Sequence, residues 1–180
     1  MKKLISVLTA LCLLCAAFAA LAEATEATEQ NFSNGISFGM TIDEVKAIAG
    51  APKETDTEHT HGPVTFTKLE YEKVTDPKLN VTSDQDYYFV DGKLVAVSFE
   101  YETKHVSYEA VKEMLSSYGE FTAPDLVLLG NGIYAVDDDG RTETNVLSIV
   151  DNNIMVVLEL DEDGDDIDVT LVDLTADYVK

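Results

Sequence analysis

The densest group of potential oxygen ligands is Asp161-Glu162-Asp163-Gly164-Asp165-Asp166. A helix–loop–helix calcium site would draw on Glu159, Asp161 and Asp163, with Gly164 in the tight turn. Its closing acid then falls at Thr170, which cannot serve, so a solvated turn is the better reading. His59-Thr60-His61 would set two imidazoles on one side of an extended segment, with Glu58 nearby, and zinc or copper is the metal such a pair could take. Spacing supplies no third ligand, and Gly62-Pro63 follow, so a loop is expected there. Asp137-Asp138-Asp139-Gly140 reads as a hairpin turn. No metal site and no cofactor are assigned.

Covalent catalysis has little to work with. The one G-x-S-x-G run, Gly35-Ile36-Ser37-Phe38-Gly39, follows the linker rather than a strand, so it is not a nucleophile elbow, and no glycine-rich phosphate loop follows a strand. Two acids could flank a glycosidic bond, but sequence does not give their separation. No catalytic residue is assigned, and a non-enzymatic protein is expected. Tyr87, Tyr88 and Tyr101 could form a sugar- or partner-binding surface, although aromatics on strands more often belong to the core. The residues assigned to partner binding are Lys68, Glu70, Ser98 and Glu100, on the polar face of the expected sheet.

Composition narrows the partner. Of 180 residues, 12 are Lys or Arg and 34 are Asp or Glu. The chain opens MKKLISVLTALCLLCAAFAALA, two lysines before an apolar run that ends in small residues, the form of a secretory signal. Cleavage is expected after Ala20-Leu21-Ala22, with Ala17-Phe18-Ala19 as the alternative. Leu14 ahead of Cys15 argues against lipidation, which prefers a small residue there. Loss of Lys2 and Lys3 with residues 1–22 takes the formal net charge from −22 to −24. Nucleic acid and anionic lipid would be repelled, whereas a basic protein, an amine or a divalent cation would not. Cys12 and Cys15 leave with the signal, so disulfides and thiolate sites leave with them. The expected location is extracytoplasmic, secreted or at the cell envelope, and about 150 residues suffice for an ordinary apolar core.

Residues 23–35, containing EATEAT, read as a flexible linker. In NGISFGMTIDEVKAIAGAPKE (34–54), Thr41 and Glu44 form a capping box and Met40 and Val45 occupy staple positions. Ile42, Val45, Ile48 and Ala49 share a face, and Gly50 and Pro52 end the helix, with Gly50 expected in the left-handed conformation. Ser107 caps a second helix carrying Val111, Met114, Leu115 and Tyr118, ended by Gly119. Strands are expected at 64–73, across an Asp91-Gly92 hairpin at 87–102, at 132–136, across a hairpin at 145–162 turning at 151–153, and at 167–174. Val90-Asp91 aligns with Val150-Asp151. Val95, Val97, Phe99 and Tyr101 should point one way, and Ala96, Ser98 and Glu100 the other. The expected fold is α+β: two helix–β-meander repeats, 36–104 and 105–180, the second with an extra C-terminal strand, in an antiparallel sheet with helices on one face.

The run F-G-M-T-x-x-E-V-K-x-x-x-G-x-P from Phe38 to Pro52, followed by a meander containing Asp91-Gly92-Lys93-Leu94, resembles the BamE-like family of small envelope lipoproteins. Tandem copies of such a unit are similar to the beta-lactamase inhibitor protein and its fold relatives. The resemblance implies a non-catalytic module that binds proteins or supports envelope assembly. This chain departs from BamE in its two copies and in lacking a suitable lipidation cysteine. The alternatives left open are a calcium- or zinc-binding extracellular protein or hydrolase, and an inhibitor of an extracellular enzyme.

Overall fold

A computed structural model describes residues 35–61, 64–121, 147–151, 154–161 and 163–176. In chain order these form helix α1 (Ile42–Ala49), strands β1 (Glu54–His61), β2 (Val64–Thr75), β3 (Thr82–Val90) and β4 (Lys93–Glu102), helix α2 (Tyr108–Leu115) with a 3₁₀ turn at Ser116–Tyr118, and strands β5 (Leu147–Asp151), β6 (Ile154–Leu160) and β7 (Asp166–Asp173). The strands make one seven-stranded sheet in the order β1-β2-β3-β4-β7-β6-β5, antiparallel throughout. The α+β class expected from the sequence is therefore observed. The expected strand at 132–136 lies outside the described residues.

α1 starts as its sequence dictates. The Thr41 hydroxyl accepts from Glu44 N–H at 3.3 Å, and the Glu44 carboxylate accepts from Thr41 N–H at 2.8 Å. The preceding residues then pair with the sheet: Gly39 N–H donates to the Leu94 carbonyl and Leu94 N–H to the Met40 carbonyl, both at 2.8 Å. The two motif fragments that suggest the family resemblance thus touch, F-G-M-T against D-G-K-L. An eight-residue helix is not stable alone, so this tether and the wholly buried Val45 hold it. Thr41→Ala is expected to lower stability by about 1 kcal/mol. Urea unfolding reads this out, and an unchanged midpoint would mean that docking alone fixes the helix. At the far end Gly50 has φ 87° but ψ −159°. That is a glycine-only region rather than the left-handed helical one expected. Its carbonyl turns to accept from the Tyr71 hydroxyl at 3.1 Å.

The β3–β4 turn has Asp91 at φ 49° and Gly92 at φ 73°, the paired positive values of a two-residue hairpin that matches strand twist. Ser107 caps α2 by accepting from Ala110 N–H at 3.3 Å. Both helices pack on the same side of the sheet. Val45, Val111 and Leu115 join Leu69, Tyr71, Tyr87, Phe89, Leu94, Val97, Phe99, Tyr101, Ile154, Val156, Leu158, Ile167, Val169 and Leu171 in one core. A second, smaller cluster of Ala96, Met155, Val157 and Val172 lies on the opposite face, with Tyr88 and Leu174 against it.

Four further expectations need correction. His59-Thr60-His61, expected in a loop, end an edge strand that runs from Glu54 to His61. β3 begins at Thr82, five residues earlier than the apolar pattern indicates. A bulge between Tyr88 and Phe89 sets Phe89 opposite Leu94 and Tyr88 opposite Ala96, so Leu94 rather than Val95 joins the helix-side core. The C-terminal strand is no appendage. β7 lies between β4 and β6 and is the strand through which the two halves of the sheet meet.

Candidate functional site

Strand alternation brings the four assigned residues to one face, the one opposite the helices. Lys68 and Glu70 on β2 face Tyr88 and Asp86 on β3, and these in turn face Ala96 and Ser98 on β4. Glu100 follows two residues on. Lys68, Glu70, Ser98 and Glu100 line a single depression of about 220 Å³, together with Asp84 and Asp86. Asp84 and Asp86 are additions that the sequence pattern missed, because their strand was begun too late. An ion-pair chain crosses the depression. Lys68 Nζ lies 2.7 Å from Asp86 Oδ2 and 3.6 Å from Glu70 Oε2, and Lys53 Nζ lies 3.0 Å from Glu70 Oε1. Lys53 also pairs with Glu72. Burial works against the Lys68 charge, yet Asp86 and Glu70 outweigh it and raise its pKa. The hydrogen bond from Lys53 holds Glu70 below the usual carboxylate range. Asp86 moves the other way, since its burial exceeds what Lys68 returns.

From this depression an acidic row extends across the same face. Asp84 on β3 pairs with Glu100 on β4, Glu100 with Asp168 on β7, and Asp168 with Glu159 on β6. Four carboxylates thus run across four neighbouring strands. Side chains in such register stand about 5 Å apart, and like charges there repel. Burial, reinforced by Glu100, Glu159, Asp166 and Asp161, pushes the Asp168 carboxyl up to about 7. Partial desolvation and the neighbouring acids Asp166, Asp84, Asp86 and Glu102 raise Glu100 as well. Glu102, which faces Asp166, is instead lowered by Lys104. The row was invisible in sequence because its members are far apart in the chain and β7 was taken as peripheral.

Asp137-Asp138-Asp139-Gly140 lies outside the described residues, and the other chemical candidates are structural parts where they are described. Asp161 Oδ1 accepts from the N–H groups of Asp165 and Asp166 at 2.8 and 3.2 Å. The acidic turn is thus closed by its own first carboxylate. Thr103 ties it to the end of β4, its hydroxyl donating to the Gly164 carbonyl at 2.8 Å. His59 on β1 packs against Tyr88 with ring centroids 5.6 Å apart, and its Nδ1 is 3.6 Å from Asp56 Oδ2. Among the described residues no group of three or more His, Cys, Asp or Glu side chains is arranged to hold a metal. Tyr87 and Tyr101 are core residues, each 1 % exposed. Tyr88 points to the opposite face, where it meets Phe66 edge-on at 6.0 Å.

Fold and site together define a class: a single antiparallel sheet with short helices on one side and a charged surface on the other. Compared with family models, curated proteins and solved structures, the chain matches none. Among the described residues no helix is long and apolar enough to cross a membrane.

Proposed function

We propose that this chain is an exported, non-catalytic interaction module that binds a basic protein through the charged face of its sheet. The observation that carries the reading is the convergence of Lys68, Glu70, Ser98 and Glu100 on one depression, on the side away from both helices. Its lining has four carboxylates and one ammonium, so a cationic surface is the complementary partner. The leading MKK and apolar run support export. The F-G-M-T and D-G-K-L contact supports the resemblance to BamE-like modules, whose role is binding rather than catalysis.

The reading includes a duplicated helix–meander unit. Each described helix precedes a run of strands, and the last strand of each run, β4 and β7, lies beside the other in antiparallel register. A two-fold relation between halves would give that adjacency. It would also equate the β3–β4 hairpin with β6–β7 by sheet position, one strand away from the Val90/Val150 alignment.

Poly-L-lysine is a suitable cationic probe. The double variant Glu70→Lys/Glu100→Lys reverses charge in the depression. Glu109→Lys/Glu113→Lys makes the same change in net charge on exposed positions of α2. The first is expected to weaken binding about tenfold in titration calorimetry, and the second to leave it nearly unchanged. Equal losses would mean that only diffuse charge attracts the probe, and the proposed binding face would be wrong.

A further inference from the structure

The two halves of the sheet meet along β4 and β7, and that seam is unevenly built. On the helix-side face its paired residues are Val97/Leu171, Phe99/Val169 and Tyr101/Ile167, all buried in the main core. On the opposite face the pairs change along the seam. Ala96/Val172 is apolar, Ser98/Thr170 is neutral, and then come Glu100/Asp168 and Glu102/Asp166. One end of the junction is therefore neutral on both faces, while the other sets acid against acid twice in succession.

The surroundings decide which pair matters. Glu102 has local relief: Lys104 Nζ lies 2.5 Å from its carboxylate, and His105 Nδ1 lies 3.2 Å away. Asp166 gains some of the same relief from Lys104. Glu100 and Asp168 form no ion pair among the described residues. Asp168 faces Glu100 from β4 and Glu159 from β6, has Asp166 on its own strand, and feels Asp161 in the adjoining turn. Asp84 faces Glu100 from β3, with Asp86 close by. Lys73 stands beyond this group at the β2 bulge, in a depression it shares with Asp84, Glu100, Glu102 and His105.

We infer that the β4–β7 seam is a proton-operated latch, closed along its whole length when the carboxyl row carries protons and loosened from its Glu102/Asp166 end when the row is fully charged. Protonating one member converts a repelled pair into a carboxyl and a carboxylate, which can share a hydrogen bond across the strands. Removing that proton restores the repulsion, which Asp168 feels most because it is the more buried of the pair while Glu100 is exposed. The helix-side pairs, buried Tyr101/Ile167 at the acidic end among them, keep the two strands together, so the response is a local loosening of that end rather than a parting of the seam. The latch lies beside the proposed binding depression and shares Glu100 with it, but does not depend on what that depression binds.

Amide hydrogen exchange on the full chain, expressed as protection factors to remove the intrinsic pH dependence of exchange, reads the seam directly. Between pH 5 and pH 8, protected amides in 100–102 and 166–168 are expected to lose about tenfold in protection. Amides in 96–98 and 170–172 should change far less. In Glu100→Gln/Asp168→Asn, which keeps side-chain shape, protection at the acidic end should become flat with pH. Equal pH slopes at both ends, or a slope that survives in the double variant, would overturn the latch. His105→Gln provides the remaining check, because that imidazole pairs with Glu102. The slope should persist there; its disappearance would assign the response to His105 and overturn the role given to the carboxyl row.

Discussion

Asp168→Asn is expected to stabilise the folded chain at pH 8 by on the order of 3 kcal/mol, and to lose most of that advantage by pH 4. Few surface-facing substitutions stabilise so strongly, and the reason lies in burial and register. Asp168 is partly buried and has acids opposite it on both neighbouring strands, Glu100 and Glu159. Burial first, and then these acids, raise its carboxyl to about 7 from an ordinary 3.8. Between those two values the folded chain binds a proton that the unfolded chain has released. Stability from this group is thus fully present below about 3.8 and is lost as pH rises through about 7. Asn carries no charge at any of these values, so the variant escapes the loss. Glu44, Glu70 and Glu102 have lowered pKa values, and their contributions disappear in stronger acid, through their folded values. The wild type should therefore be most stable in mild acid, above the range where those three protonate. Urea unfolding at pH 4, 6 and 8 measures both curves. Parallel curves for variant and wild type would show that Asp168 titrates normally in the fold.

The elements that could be read from the sequence are those whose signals are local. Thr41 and Glu44 define the start of α1 because a capping box needs only four residues, and Asp91-Gly92 define a hairpin because the turn requires positive φ at both positions. Alternation gave the inward face of β4 except at Leu94 and Val95, where the bulge shifts register; a bulge depends on pairing and leaves no mark on a single strand. β1 was missed because ETDTEHTH has no apolar face. It is an edge strand, where the charges of Glu54 and Asp56 guard an exposed backbone. The depression was partly legible, since Lys68, Glu70, Ser98 and Glu100 follow from two strands whose polar faces were correctly assigned. The acidic row was not legible. It depends on β7 lying beside β4, a long-range pairing that no local pattern encodes.

The first residues of β3 conceal a different feature, and the second large effect is expected there. Thr82-Ser83-Asp84-Gln85-Asp86 looks like a loop, yet Ser83 and Gln85 point into the helix-side core and are 3 % and 2 % exposed. They can lie there because each is bonded. The Tyr87 hydroxyl donates to Gln85 Oε1 at 2.7 Å, and Gln85 Nε2 donates to the Ser83 hydroxyl at 3.1 Å. Ser83 continues the chain to Tyr101, whose hydroxyl donates to Asp76 Oδ2 at 2.9 Å. Asp76, itself 4 % exposed, also accepts from the N–H groups of Lys78 and Leu79 at 2.7 and 3.0 Å. One carboxylate thus shapes the β2–β3 connection and anchors a core tyrosine. Burial, with the nearby Asp76 charge, drives the Tyr101 phenol far above its usual range, so it stays a donor. Asp76→Ala should cost about 3 kcal/mol, because it strands two backbone donors and the Tyr101 hydroxyl. Tyr101→Phe removes one donor and leaves Asp76 with two, so about 1 kcal/mol is expected. The double variant should cost less than the sum, since the hydroxyl stranded by the first change is deleted by the second. Chemical denaturation of all four chains tests the cycle. Additive losses would mean that the hydroxyl and the carboxylate are not coupled, and that Asp76 serves only its own loop.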